Sequence, residues 1–151
     1  MALRGAMLYE NKTRINIRRI VMATGQCMCG AISYKVEGQP EHSALCHCRD
    51  CTRSAGAPMV GWALFPEDKV TITGTPVKYQ SSEHATRHFC GVCGTGLFYT
   101  STAIFQGKID IQTSTLDDID AFPPFGHIQM AETAGWMAEA HTLPKFERYP
   151  G

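Results

Sequence analysis

Apolar and polar residues alternate with period two in several short stretches, and each predicts a strand. Ile32, Tyr34 and Val36 alternate with Ser33, Lys35 and Glu37, so one face of this segment is buried and the other wet. Gly38-Gln39-Pro40 ends it. Met59 to Phe65 is an apolar run held between Pro58 and Pro66, too short for a helix and suited to a buried strand. Val70-Thr71-Ile72-Thr73 and Val77-Lys78-Tyr79-Gln80, joined by Gly74-Thr75-Pro76, predict a hairpin. Thr86 to Phe89 and Leu97 to Tyr99 predict strand on either side of a cysteine turn, and Ile109 to Thr113 alternates cleanly.

The connecting segments are polar or proline-rich. Gly25 to Gly30 is a tight turn, and Thr52 to Pro58 is a turn or one short helical turn. Leu116 to Asp120 is an acidic turn, Phe122-Pro123-Pro124-Phe125 a rigid loop, and His127 to Met130 a last short strand. Ala131 to Ala140 has the makings of a helix, against which Gly135 and Trp136 count. The tail is ordered only if Phe146 and Tyr149 pack back. The sum is a mainly β domain with very little helix.

Composition agrees with one globular domain. The chain has 151 residues, of which 44% are hydrophobic and 19% charged, enough to bury a core without disulfide staples. No apolar run is long enough to span a bilayer and no secretory signal is evident, so a soluble protein of a reducing compartment, the cytoplasm, is expected. The net charge of zero hides an asymmetry. Residues 1–21 carry Arg4, Lys12, Arg14, Arg18 and Arg19 against Glu10 alone, and read as a basic extension ahead of a domain spanning 22–151.

The seven cysteines change the picture. All of them fall in clusters: Cys27/Cys29, Cys90/Cys93, and Cys46-His47-Cys48-Arg49-Asp50-Cys51 with three thiols in six residues. An odd count in a reducing compartment argues for metal ligation over disulfides. Zinc fits better than iron–sulfur, whose clusters use four cysteines in other spacings. A Cys-x-x-Cys-Gly turn supplies half of a tetrahedral site, and Cys27/Cys29 is the natural partner for Cys90/Cys93. That pairing leaves the triplet one ligand short, which is the count of a catalytic site. Spacing leaves alternatives open: Cys27/Cys29 joining two of the triplet, with Cys90/Cys93 as a redox dithiol, or His47 as a fourth ligand. His47, between two ligands, is expected to point away, and Trp62, Phe98 and His88 are expected to be structural.

Gly-x-Cys-x-Cys-Gly (25–30), Cys-His-Cys-x-x-Cys (46–51), Ser-Ala-Gly (54–56) and Phe-Cys-x-x-Cys-Gly (89–94) together resemble the glutathione-dependent formaldehyde-activating enzyme (GFA) family, also called the CENP-V/GFA family. Ser114-Thr115-Leu116-Asp117-Asp118, Pro123-Pro124 and His127-Ile128 are similar too, so the resemblance covers about 22–150. It implies an Mss4-like fold of antiparallel sheets with zinc knuckles. It implies two zinc ions: a structural one on Cys27, Cys29, Cys90 and Cys93, and a catalytic one on Cys46, Cys48 and Cys51.

The resemblance also implies a carbon–sulfur lyase-type activity on a thiol–aldehyde adduct, in the manner of S-(hydroxymethyl)glutathione synthase, with glutathione as co-substrate. Glutathione's thiol would take the open zinc position and attack the aldehyde carbon. Arg49 and Arg53 beside the triplet are candidates for its carboxylates, with Ser54 and the Gly56 backbone as further donors. Three thiolates on a divalent ion sum to −1, so this zinc is expected to be labile. The partner expected is a small-molecule thiol; no membrane is involved, and a homodimer is compatible with the reading. The competing class is a zinc-stabilised binding module without catalysis, its basic extension touching nucleic acid or protein.

Overall fold

The computed structural model describes residues 22–150. The expectation of a basic extension over 1–21 therefore lies outside the described residues. Ten strands and one α-helix make up most of the regular structure: β1 Met22–Gln26, β2 Ser33–Glu37, β3 His42–Cys46, α1 Arg49–Ala55, β4 Val60–Pro66, β5 Val70–Thr73, β6 Val77–Gln80, β7 Ala85–Phe89, β8 Gly96–Ser101, β9 Lys108–Gln112 and β10 His127–Ile128. They form a three-stranded sheet in the order β1-β2-β5 and a seven-stranded sheet in the order β10-β3-β4-β9-β8-β7-β6. Every pairing is antiparallel except β10 with β3. The protein is thus mainly β and built of antiparallel sheets.

The large sheet is covered on both faces, and its register shows how. Residues directly opposite one another share a face. Ala63 faces Ile111, Phe65 faces Ile109 and Phe98 faces Ile111 across the ladder. These side chains join Ile32, Tyr34 and Val36 of the small sheet in the main core. Tyr34 packs edge-on to Phe98 and Phe65 edge-on to Phe122, each with ring centroids 5.2 Å apart. Burying each such ring contributes roughly 2 kcal/mol or more.

The other face carries a second row. Tyr79 lies opposite Arg87, Arg87 opposite Tyr99, Tyr99 opposite Asp110, Asp110 opposite Leu64, and Leu64 opposite His42. Trp62 and Cys46 lie two and four positions along from Leu64 and His42, on the same face. Here α1 covers the sheet, and Cys46, Cys51, Val60 and Trp62 form a small second core with Cys48 and Tyr99 against it.

The expected hairpin over 70–80 does not form. β5 pairs with β2 in the small sheet, whereas β6 pairs with β7 at the edge of the large one. The linking turn is where the chain changes sheets. Gly74 adopts φ +90° and lies so close to the Ala31 carbonyl that a Cβ would collide with it. A turn packed against another segment in this way is not free to close locally. Three smaller differences follow. Met22–Gln26 is a strand where only a turn was expected from Gly25. The short helix spans Arg49–Ala55, earlier than Thr52 to Pro58. The stretch over 131–140 forms 3-10 turns, Met130–Glu132 and Gly135–Thr142, and Phe146 and Tyr149 are exposed.

Candidate metal centres and a thiol cavity

Two backbone knuckles of nearly the same form carry the cysteine pairs. After β1, Cys27 N–H donates to the Ile32 carbonyl at 2.9 Å and Gly30 N–H to the Cys27 carbonyl at 3.0 Å. After β7, Cys90 N–H donates to the Thr95 carbonyl and Gly94 N–H to the Cys90 carbonyl, both at 2.9 Å. Gly30 and Gly94 close these turns at φ +77° and +78°, a conformation that disfavours any side chain. Met28 N–H donates to Thr95 Oγ1 at 3.2 Å and ties one knuckle to the other.

The result is a cluster of Cys27, Cys29, Cys90 and Cys93 whose sulfur atoms all lie within 4.8 Å of one another. Cys27 Sγ to Cys29 Sγ is 3.6 Å and Cys29 Sγ to Cys90 Sγ is 3.7 Å. These separations are far too long for a disulfide. They match the edge, about 3.8 Å, of a tetrahedron of thiolates each about 2.3 Å from a central ion. Cys93 is held well below the usual thiol range, at about 5, by the Thr95 hydroxyl and backbone N–H.

Cys46, Cys48 and Cys51 form a second group, again with all sulfur atoms within 4.8 Å. Cys46 ends β3, Cys48 is the N-cap of α1, and Cys51 sits in its first turn. Cys48 Sγ accepts from Cys51 N–H at 3.3 Å, so the cap of the helix is itself part of the cluster. Burial pushes the Cys46 thiol up to about 12 and raises Cys51 as well, Arg87 opposing the shift at Cys51. Each cluster could hold a metal ion.

The three-thiol group opens on a cavity of about 210 Å³. Its walls include Cys46, Cys48, Cys51, Trp62, Tyr99, Ile104 and Phe105, with Arg87 and Asp110 among the polar residues. Arg87 Nη2 is 3.7 Å from Cys51 Sγ, and its guanidinium lies over the Tyr99 ring, 5.3 Å from the centroid. Asp110 is 5% exposed; its Oδ1 is buried and has no hydrogen-bond partner. Burial alone raises its carboxyl from 3.8 to about 7.

Other predicted site residues lie around α1. Arg49, Arg53 and Gly56 line a groove of about 390 Å³ with His47, Glu132 and Trp136, and share none of the lining of the thiol cavity. Ser54 lines a third depression of about 330 Å³, which shares Trp62 and Arg87 with the thiol cavity. His47 is 2% exposed and points to neither cluster: its Nε2 is 2.9 Å from His127 Nδ1 and its Nδ1 2.9 Å from Thr133 Oγ1. His88 Nε2 meets Thr100 Oγ1 at 3.0 Å, and His88 also lines the depression that holds Ser54. Trp62 and Phe98 are both buried, Trp62 also walling the cavity. Arg87 and Asp110 went unseen in the sequence. The alternation of Ile109 to Gln112 already assigns Asp110 to the face opposite the isoleucines, but no local signal marks Arg87.

An antiparallel β protein with paired cysteine knuckles and a separate thiol-lined cavity defines the class. The chain belongs to the glutathione-dependent formaldehyde-activating enzyme family, whose pattern it matches over residues 22–132. It is similar to an uncharacterized lyase of Schizosaccharomyces pombe, 32% identical over 78 residues, covering 52% of this chain and 57% of the relative. The match thus spans little more than half of that relative's length. A crystal structure of a Rhodobacter sphaeroides protein has a similar fold, with TM-score 0.50 and 21% identity over 63% of this chain and 88% of the other. Among the described residues, no helix is long and apolar enough to cross a membrane.

Proposed function

We propose that this protein is a zinc-dependent lyase-type enzyme that makes and breaks a carbon–sulfur bond between a small thiol, glutathione, and an aldehyde such as formaldehyde. The observation that carries this reading is the contrast between the clusters. One has four thiols at tetrahedral spacing, a complete ligand set. The other has three thiols and faces a cavity that can admit a further ligand. Cys27, Cys29, Cys90 and Cys93 would hold the structural ion, and Cys46, Cys48 and Cys51 the catalytic one. Zinc bound there supplies Lewis acidity and favours the deprotonated form of a thiol beside it.

The chain's own groups do the remaining work. Trp62, Tyr99, Ile104 and Phe105 wall the cavity and limit the water that competes with the thiol. Arg87, beside Cys51 and shared with the depression that Ser54 lines, presents a cation to one of glutathione's carboxylates. Arg49, Arg53 and the Gly56 backbone would contact a portion of substrate extending round α1.

Exchange NMR between free glutathione, formaldehyde hydrate and their adduct tests the reading. The zinc-loaded chain should accelerate exchange above the buffer rate. Mild chelation should abolish the acceleration with release of one ion per chain and no unfolding. Exchange at the buffer rate with both ions bound would sink the proposal.

A further inference from the structure

Asp110 is the one buried carboxylate in the thiol cavity that nothing in the fold accounts for. It is 95% buried, its Oδ1 has no hydrogen-bond partner among the described residues, and it closes no ion pair there. An unpartnered carboxyl costs free energy, and a structural role would have been served by an apolar side chain. Its place is set by the strand: Ile109 and Ile111 go to the core, so Asp110 must point to the face that holds the three thiols. Across the ladder it lies between Leu64 and Tyr99. The other ionisable groups lining the cavity are His42 and Cys46 from β3, Cys48 at the N-cap of α1, Asp50 and Cys51 from α1, Arg87 from β7 and Tyr99 from β8.

We propose that Asp110 is the proton carrier of the thiol–aldehyde reaction, a role that rests on the lyase reading above. In the forward direction the Asp110 carboxylate takes the proton of the entering thiol. The sulfur lone pair then forms the carbon–sulfur bond, the carbonyl π pair moves to oxygen, and the neutral Asp110 carboxyl delivers its proton to that oxygen. The sum is thiol plus aldehyde giving an S-hydroxyalkyl adduct, with Asp110 back as carboxylate and no further reactant. In reverse, the carboxylate takes the hydroxyl proton as the carbonyl re-forms and returns it to the leaving sulfur. A carboxyl raised by burial to about 7 is suited to both halves near neutrality, because neither protonation state is strongly preferred.

Asp110→Asn keeps the shape and removes the transferable proton. In the NMR exchange assay we expect turnover at least about 100-fold slower, with glutathione affinity within about threefold of the parent and both ions retained. Turnover within threefold of the parent would overturn the role of Asp110 while leaving the lyase reading intact. An inactive parent chain would overturn both. A second measurement needs only the unsubstituted chain. With aspartate carboxyls carrying 13C, S-(2-hydroxyethyl)glutathione should shift the Asp110 resonance, and S-ethylglutathione, which lacks the hydroxyl, should not. Equal responses to the two ligands would place Asp110 away from the reacting oxygen and refute the proposal.

Discussion

Arg87 Nη2 lies 3.7 Å from Cys51 Sγ, a contact between residues 36 apart in the chain. It joins the middle of a strand to the first turn of the short helix. A cation there serves two ends: it favours thiolate at Cys51, and it offers a fork to an anionic ligand entering the cavity. Arg87→Met should therefore raise the KM for glutathione by about 10- to 100-fold, the range for losing a charge-assisted hydrogen bond. A neutral small thiol should lose much less. Comparing the two thiols in steady-state kinetics checks this, and equal losses would mean Arg87 acts on the thiol cluster alone.

Cys48→Ser separates chemistry from folding. Cys48 caps α1 by accepting from Cys51 N–H, and serine is a favoured residue at that position, so the helix should persist. The three-thiol site loses a soft ligand. We expect one of two ions lost on dialysis, thiol–aldehyde exchange abolished, and a melting temperature within a few degrees of the parent. Elemental analysis and calorimetry on the same sample give both answers.

Cys90→Ser should behave in the opposite way. Cys90 is 1% exposed and its cluster ties the turn after β1 to the turn after β7. Binding free energy at such a site is folding free energy. The variant should lose several kcal/mol of stability, or fail to fold, and chelators strong enough to strip this ion should unfold the parent chain cooperatively in circular dichroism.

The pH dependence of stability follows from Asp110 with a definite sign. Its carboxyl is raised from 3.8 to about 7 in the folded chain, so the native state holds that proton where the unfolded state has released it. The associated stability is fully present below about pH 4 and is lost as pH rises through about 7. Asp110→Asn removes this dependence. Relative to the variant, the parent should lose on the order of 2–4 kcal/mol between pH 4 and pH 8 in urea unfolding. Taking the difference between the chains cancels the cysteine and histidine contributions common to both.

His47 predicts a purely structural loss. Burial and its neighbour His127 lower its pKa, which keeps the imidazole neutral with one donor and one acceptor nitrogen. Either tautomer satisfies the contacts to His127 and Thr133. His47→Ala should cost roughly 2–4 kcal/mol and expose the Met130–Glu132 turn to proteolysis. Metal content at both clusters should be unchanged.

How legible all this was depends on distance along the chain. Ile109 to Gln112 showed its period of two and folded accordingly, as did Ile32 to Val36, because alternation is a local consequence of a half-covered strand. The cysteine turns could be read because glycine and thiol spacing are local too. The hairpin expected at 70–80 failed because each strand found a better partner elsewhere: Val70–Thr73 on β2 and Val77–Gln80 on β7. Arg87 reaches the cavity only through the pairing of β7 with β8 and β8 with β9, which no window of sequence encodes. Asp110 was visible as a position on a face, but what covers that face was not.

One strand serves both clusters. β7 carries Arg87 on the cavity face, ends two residues later at Phe89, and runs directly into Cys90 of the four-thiol cluster. An ion bound there would anchor the strand from which the guanidinium is aimed. Occupancy at one end of β7 and ligand affinity at the other should then be coupled, and any such coupling is reciprocal. The four-thiol cluster would then act on selectivity as well as on stability, so a substitution there that leaves the chain folded should still change which thiols the cavity prefers.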